Sequence, residues 1–490
     1  MKWVVVKLLV HAAVLLLAIG AGCTKTNPNL CCISETDCAA IGLPNGTQCD
    51  SGFACQNHDC VAAACGLDSD CTDPLASHCG DGLCRECSAV GQCPQATAAC
   101  NLNTYSCEVC SNDNDCKTFA AAPHCGASGA CVACTKSEQC GAAAPVCGTD
   151  GACRLCQRDQ ECASGACDEN GTCVDAAAAI YVSPTGIDAG ACVQTQPCKS
   201  LQFGEGKVTA GRFHLVFATG DYNLPLGVVS KPRVAYHGNG SRLAVSDADF
   251  FPAINLAGNR MFVSDFEIST TNIAAFKGNG GPGAELTLRR VNIAKANVTA
   301  ELSAVKFTWT DSVATNFSGL KIYDSPSNVT LRRLTFTSPT AVLEMTDVVL
   351  AAENINITQP KGNIFNFTRT SGALSFVTIA DTDVTPGVPH IVCAQSPVVM
   401  KSSIIWTPRQ PTTINGNCTF TADNIAGPVV TASPAINVSN ADPLFVDMAA
   451  KNYHLQPTSP AIDQADTGPA TDLEGNPRPR GAKFDLGAFE

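Results

Sequence analysis

Twenty-six of the 31 cysteines fall between Cys31 and Cys173, and from Cys65 onward they recur on one plan. Units open at Cys65, Cys87, Cys110, Cys134 and Cys156, a period of 22 to 24 residues. Each begins C-x5-C, as in Cys65/Cys71 and Cys156/Cys162, and adds two more cysteines, as in Cys147 and Cys153. Turn glycines Gly82, Gly129, Gly151 and Gly171 stand just before the fourth cysteine. A unit this small cannot bury enough apolar surface to offset its chain entropy. Disulfides, at roughly 2–4 kcal/mol each, can hold it. Four cysteines allow three pairings, and spacing alone does not choose among them. Cys31 to Cys60 reads as a degenerate copy with six cysteines.

Two-residue spacers such as Cys84-x2-Cys87 and Cys131-x2-Cys134 also have zinc-ligand spacing. The regular remainder of each unit and an export signal favour disulfides. That signal has Lys2 and Lys7, then an apolar run from Leu8 to Ile19 broken by His11. It is too short to read first as a membrane span. Gly20-Ala21-Gly22-Cys23 follows and resembles a bacterial lipobox, with Gly20 where leucine is usual. The resemblance implies a signal peptide at residues 1–22 and lipidation at Cys23. It implies export and a lipid anchor at the cell envelope, at the outer membrane or cell surface.

Charge divides the chain as well. Between Thr24 and Ala177, nineteen Asp and Glu face six Lys and Arg, a difference equal to the whole chain's net charge of −13. The remainder is close to neutral, and no basic run interleaved with aromatics points to nucleic acid. The expected plan is therefore a disulfide-rich repeat region at 23–175, a small-residue linker at 176–179, and a different domain at 180–490.

That last domain repeats an apolar motif interrupted by two turn residues. It occurs at Met261, Val263, Phe266 and Ile268, at Leu286, Leu288, Val291 and Ile293, and at Val329, Leu331, Leu334 and Phe336. It returns at Leu343, Met345, Val348 and Leu350, and more loosely at Val398, Met400, Ser403 and Ile405. Alternation turns one face of each strand inward. Repetition at this spacing stacks the strands into parallel sheets. The uneven step from Leu343 to Leu374 predicts a loop excursion between Leu350 and Leu374.

Both ends of this domain carry further signatures. It opens with Tyr181-Val182-Ser183-Pro184-Thr185-Gly186 and closes with Asp442-Pro443-Leu444-Phe445, Ser459-Pro460-Ala461-Ile462-Asp463 and Asp485-Leu486-Gly487-Ala488-Phe489. These resemble secreted bacterial right-handed parallel β-helix proteins of the pectate-lyase-like superfamily. The expected fold is mainly β, a right-handed parallel β-helix preceded by the disulfide-rich module. The tail is expected to cap the last coil. Cys192 and Cys198 are expected to close a loop, and Cys393 and Cys418, about one coil apart, to be bridged by stacking.

The resemblance implies a polysaccharide or a surface protein as ligand, and no catalytic set is complete. His237-Gly238-Asn239-Gly240 is the nearest approach to a hydrolase Gly-His-Gly segment, and Tyr236 stands where the first glycine would be. His237 therefore reads as a turn residue. The strongest binding candidates are Arg289, Arg290, Arg332 and Arg333, with Asp265 and Asp347 in the breaks of other coils. Aligned on one edge, they could grip an acidic glycan. Calcium is the cation that Asp472-Leu473-Glu474-Gly475-Asn476 or the break acids would take. The leading expectation is a surface lipoprotein that binds a polysaccharide without turning it over. The alternatives are a polysaccharide lyase or glycoside hydrolase, and a purely structural envelope protein.

Overall fold

The computed structural model describes residues 53–56, 59–62 and 65–490, apart from 81–82, 90, 224–226, 229–230, 246–253, 257, 271–273, 282, 297, 317–318, 325–327, 338, 340–341, 381–390, 407–413, 416–420, 427–434 and 440. The signal segment, Cys23 and Cys418 lie outside the described residues. The chain forms two compact units, Met1–Arg154 and Leu155–Glu490.

In the first unit each cysteine repeat from Cys65 onward has a 3-10 turn followed by a two-stranded hairpin, for example Asp113–Cys116 and then His124–Cys125 paired with Cys131–Val132. One pairing recurs throughout, first cysteine to third and second to fourth: Cys65–Cys79 with Cys71–Cys84, Cys110–Cys125 with Cys116–Cys131, and so on. The two cysteines of each C-x2-C spacer therefore belong to separate cross-links. Sulfur is the core: Cys87, Cys116 and Cys134 are wholly buried. The polar residue before or near the second cysteine ties the opening loop. Asp70 accepts from the amides of Gly66 and Leu67, Asp115 from Ser111 and Asn112, and Gln139 from Thr135 and Lys136. At the start of the 3-10 turn, Asp68 accepts from the Cys79 amide and from His78, and Asp113 likewise from Cys125 and His124.

The fifth repeat keeps the same pairing, Cys156–Cys167 and Cys162–Cys173, but belongs to the second unit. The boundary expected at residue 175 thus lies one repeat earlier. Nor are residues 176–179 a spacer. Ala176–Ala178 form a 3-10 turn capped by Asp175, and Ala179 is buried in the first strand of the coil.

From Ala179 onward the second unit is a parallel β-helix. Among the described residues one sheet has 13 strands and another nine, and neighbouring strands in both pair in parallel. Between the Arg233–Val245 and Val398–Trp406 strands of the larger sheet, partner residues are 21 to 27 apart, as in Leu286 with Phe307 and Arg233 with Arg260. Inward positions stack into one apolar core, including Leu288, Trp309, Leu331 and Leu374, all wholly buried. Each such side chain contributes roughly 1.5–3 kcal/mol on burial. The register also explains the uneven motif spacing. Leu331 pairs with Ala352 and Ala352 with Leu374, so residues 350–374 form one ordinary coil and there is no loop excursion. The Leu343/Leu350 motif belongs to another corner, between the Leu343–Thr346 and Val349–Thr358 strands.

The two-residue breaks are left-handed corners. Within successive long strands Asp265, Arg290, Asp311, Arg333, Asn354, Phe376 and Ser402 take φ between 49° and 56°. The left-handed residue rotates the chain so that apolar residues on both sides of it point inward. Asp347 and Arg369 take the same conformation at the other corner.

The C-terminal tail does not cap the end of the coil. It lies along the outer face of the larger sheet, where Phe445, Tyr453, Leu486 and Phe489 pack with Phe376, Ala380 and Ile404 in a second core. Its backbone is pinned there as well: Ala488 N donates to Thr378 Oγ1, Gly487 N to Ser402 O, and Asn354 Nδ2 to Thr471 O. Asp472 is buried and accepts from the amides of Glu474, Asn476 and Glu490, so it closes the tail on itself.

Candidate binding cleft

Two decorations cover the outer face of the larger sheet. At one end the Cys156–Cys173 repeat sits on the Arg233–Val245 and Arg260–Thr270 strands. At the other end the tail covers the Val349–Thr358, Ser371–Ala380 and Val398–Trp406 strands. Three strands between them, Glu285–Lys295, Lys306–Thr315 and Asn328–Thr337, contribute side chains to an open space. Together they make a cleft of about 1070 Å³. Its floor carries Arg289, Arg290, Asp311, Ser312, Val313, Arg333 and Thr335. One wall presents Gln157 and Arg158, the other Lys451, His454, Glu474 and Phe489.

Five permanent cations face two carboxylates in this lining. Their states differ. Arg290 forks onto Asp265 at 2.6 and 3.0 Å, and Arg333 pairs with Asp311. Acid and base therefore alternate along the corner ladder, from Asp265 through Arg290 and Asp311 to Arg333. Arg289 turns toward the cysteine repeat and donates to the carbonyls of Cys167 and Asp168, each at 2.8 Å. His454 is held by Asn452 at 2.7 Å and Glu474 at 3.1 Å. Arg158 and Lys451 are exposed and form no ion pair among the described residues. They are the cations free to meet a ligand, one on each wall.

Arg289, Arg290, Arg333 and Asp265 thus gather at one place, the first three lining the cleft and Asp265 beneath it as the partner of Arg290. Arg332 does not join them: it points to the exposed outer face and pairs with Glu353 at 3.2 Å. Asp347 is on the other corner, salt-bridged to Arg369, so the single aligned edge expected for all six residues does not form. Cys192 and Cys198 are bonded to each other, and Cys393 is disulfide-bonded.

The reading of His237 as a turn residue is overturned. It lies inside the Arg233–Val245 strand and is wholly buried beneath the cysteine repeat. Its Nδ1 faces Asp159 Oδ1 at 2.9 Å and its Nε2 faces His214 Nδ1 at 2.9 Å. Ser264 Oγ donates to Asp159 Oδ2 at 2.7 Å. Burial opposes the charge on Asp159, but His237, the Cys167 amide and Ser264 together hold its carboxyl below the usual range. The serine is on the Asp side of the imidazole and buried, so this is a docking cluster and not a nucleophile–base pair.

The sequence reading missed Arg158, Lys451 and His454. One signal was readable. His78 and His124 precede the third cysteine of their repeats and bind Asp68 and Asp113; in the fifth repeat Ala166 stands there, leaving Asp159 the Cys167 amide but no histidine of its own repeat. A histidine from elsewhere had to serve it, and His237 does.

No known family profile matches the chain, and no curated protein matches it. Among solved structures, the chain is similar to a crystal structure of pectate lyase Pel9A, at 11% identity and a TM-score of 0.30, over 64% of this chain and 96% of that one. No residue of the cleft is assigned from that likeness. The fold rests on the register of the strands themselves: a disulfide-rich repeat region followed by a parallel β-helix.

Proposed function

We propose that the β-helix binds an anionic extracellular polysaccharide in the cleft between its last cysteine repeat and its tail. The observation that carries this is the pair Arg158 and Lys451, cations without an ion pair among the described residues, on opposite walls above a floor of arginines. A guanidinium grips carboxylate or sulfate through charge-assisted hydrogen bonds, and an ammonium adds a point charge. The chain as a whole carries −13, so attraction to a polyanion must be local to such a cleft. The neutral corner ladder holds the floor rigid beneath it. In the same reading the protein is exported and anchored by lipid at Cys23, which brings the cleft to the cell envelope; mass spectrometry of the membrane fraction should find a diacylglyceryl group on that cysteine.

The test is affinity electrophoresis of the purified protein against polygalacturonate, dextran sulfate and neutral dextran. Retardation by the two anionic polymers, weakened by salt, is expected, with none by dextran. Arg158→Ala and Lys451→Ala should each weaken it about tenfold, the loss of one charge-assisted contact. Absence of retardation by either anionic polymer at low salt would refute the proposal. Unsaturated uronate products, formed with calcium and lost in Arg333→Ala, would replace binding with a lyase reading.

A further inference from the structure

One column of residues runs along the floor of the cleft and into both walls. It consists of the left-handed corner residues of five neighbouring strands of the larger sheet: Asp265, Arg290, Asp311, Arg333 and Asn354. The two outer members fasten the walls. Asp265 accepts from the Asp159 amide of the cysteine repeat at 2.8 Å, and Asn354 donates to Thr471 O of the tail at 2.8 Å. Three corners are left to face the cleft, in the order arginine, aspartate, arginine. Both arginines lean the same way, Arg290 onto Asp265 and Arg333 onto Asp311, so the column repeats as an Asp–Arg pair two strands long.

Neighbouring strands lie about 4.8 Å apart, so the two guanidiniums recur at about 9.6 Å along the coil. Arg290 gives Nε and Nη2 to Asp265, and Arg333 gives Nε to Asp311. Among the described residues, Nη1 of each is left to donate to a ligand anion. The strand between them offers the opposite group. The Asp311 side chain is 28% exposed against 27% for Arg333, so an anion placed on that strand meets a carboxylate. Arg333 takes Oδ1 of Asp311, and Oδ2 can accept from a neutral hydroxyl.

An extended 1,4-linked pyranose chain advances by about one strand spacing per sugar. Laid along the coil from Arg158 toward Lys451, it sets successive sugars over successive corners. We propose that the cleft selects its ligand by charge spacing: it takes an extended polysaccharide with an anionic group on every second sugar, the charged sugars over Arg290 and Arg333 and a neutral sugar over Asp311. This rests on the cleft being the binding site. A chain charged on every sugar sets a carboxylate against Asp311 in every register, and like charges brought together in an interface are costly. Counting charges alone predicts the reverse preference, since the fully charged chain carries twice as many.

The test compares heparosan, a 1,4-linked chain with a carboxylate on alternate sugars, with polygalacturonate, a 1,4-linked chain with one on every sugar. Kd values for the full chain are measured with oligosaccharides of equal sugar number, at one pH and ionic strength. Heparosan should bind about tenfold tighter or more. In Asp311→Asn the side-chain oxygen still accepts from Arg333 and the charge is gone. Polygalacturonate should then bind more tightly than it does to the wild type, and the preference should fall to about twofold or less. A merely structural role for Asp311 would instead weaken both ligands together. Equal or tighter binding of polygalacturonate by the wild type overturns the spacing and leaves the site standing, and that comparison decides even if the variant does not fold. A preference that survives in Asp311→Asn also overturns it, because the corner column would not be its cause. Binding of neither oligosaccharide removes the cleft as a binding site, and the proposal with it.

Discussion

Asp265 shows how much a single corner residue carries. Its carboxylate takes both prongs of Arg290 and the amide of Asp159, and the pair is largely buried. Asp265→Ala would leave a guanidinium and an amide without partners, at a cost of about 3 kcal/mol. Urea unfolding of the variant should show that loss. Asp347→Ala removes a pair that is exposed at the other corner and should change stability little. Sequence could place an arginine or aspartate in a two-residue break, because exterior turn positions must be polar. It could not say which break belonged to which corner, since Asp265 and Asp347 sit in the same local motif. Only the pairing of Leu331 with Ala352, rather than with Leu343, separates them.

Among the elements, the strands were the most legible and the tail the least. Alternation around Leu286 to Ile293 and Val329 to Phe336 announces an inward face, and those residues are buried as the pattern requires. The tail's motif marks that a covering element is present, but not which surface it covers. That depends on outward residues such as Phe376 and Ile404, which in a bare coil would be unwelcome on the surface. The same outward apolar pair was a usable sign of a covered face. Leu486→Ala in the tail core should cost about 3 kcal/mol. The expected result is earlier loss of the tail on urea titration, read by hydrogen exchange at Ala488 and Gly487, before the coil's own strands open.

At the scale of the molecule, two kinds of stability coexist. The repeats stand on disulfides, such as Cys134–Cys147 and Cys140–Cys153, around cores of sulfur. The coil stands on stacked apolar rungs and needs few cross-links. Reduction should therefore unfold the cysteine repeats while circular dichroism keeps most of the coil's strand signal. The same treatment should abolish polyanion binding, because Cys156–Cys167 and Cys162–Cys173 shape the wall that carries Arg158. Retained binding after complete reduction would show that this wall is dispensable.

The open floor also has a natural ruler. Adjacent strands lie about 4.8 Å apart, so the floor strands set the distance between the walls in whole steps of that length. A duplication or deletion of one coil beyond the Glu285–Lys295 strand, which Arg289 ties to the cysteine repeat, would widen or narrow the gap by one step without disturbing either wall. Ligand length could thus change by counting coils, with Arg158 and Lys451 carried along unchanged at the two edges.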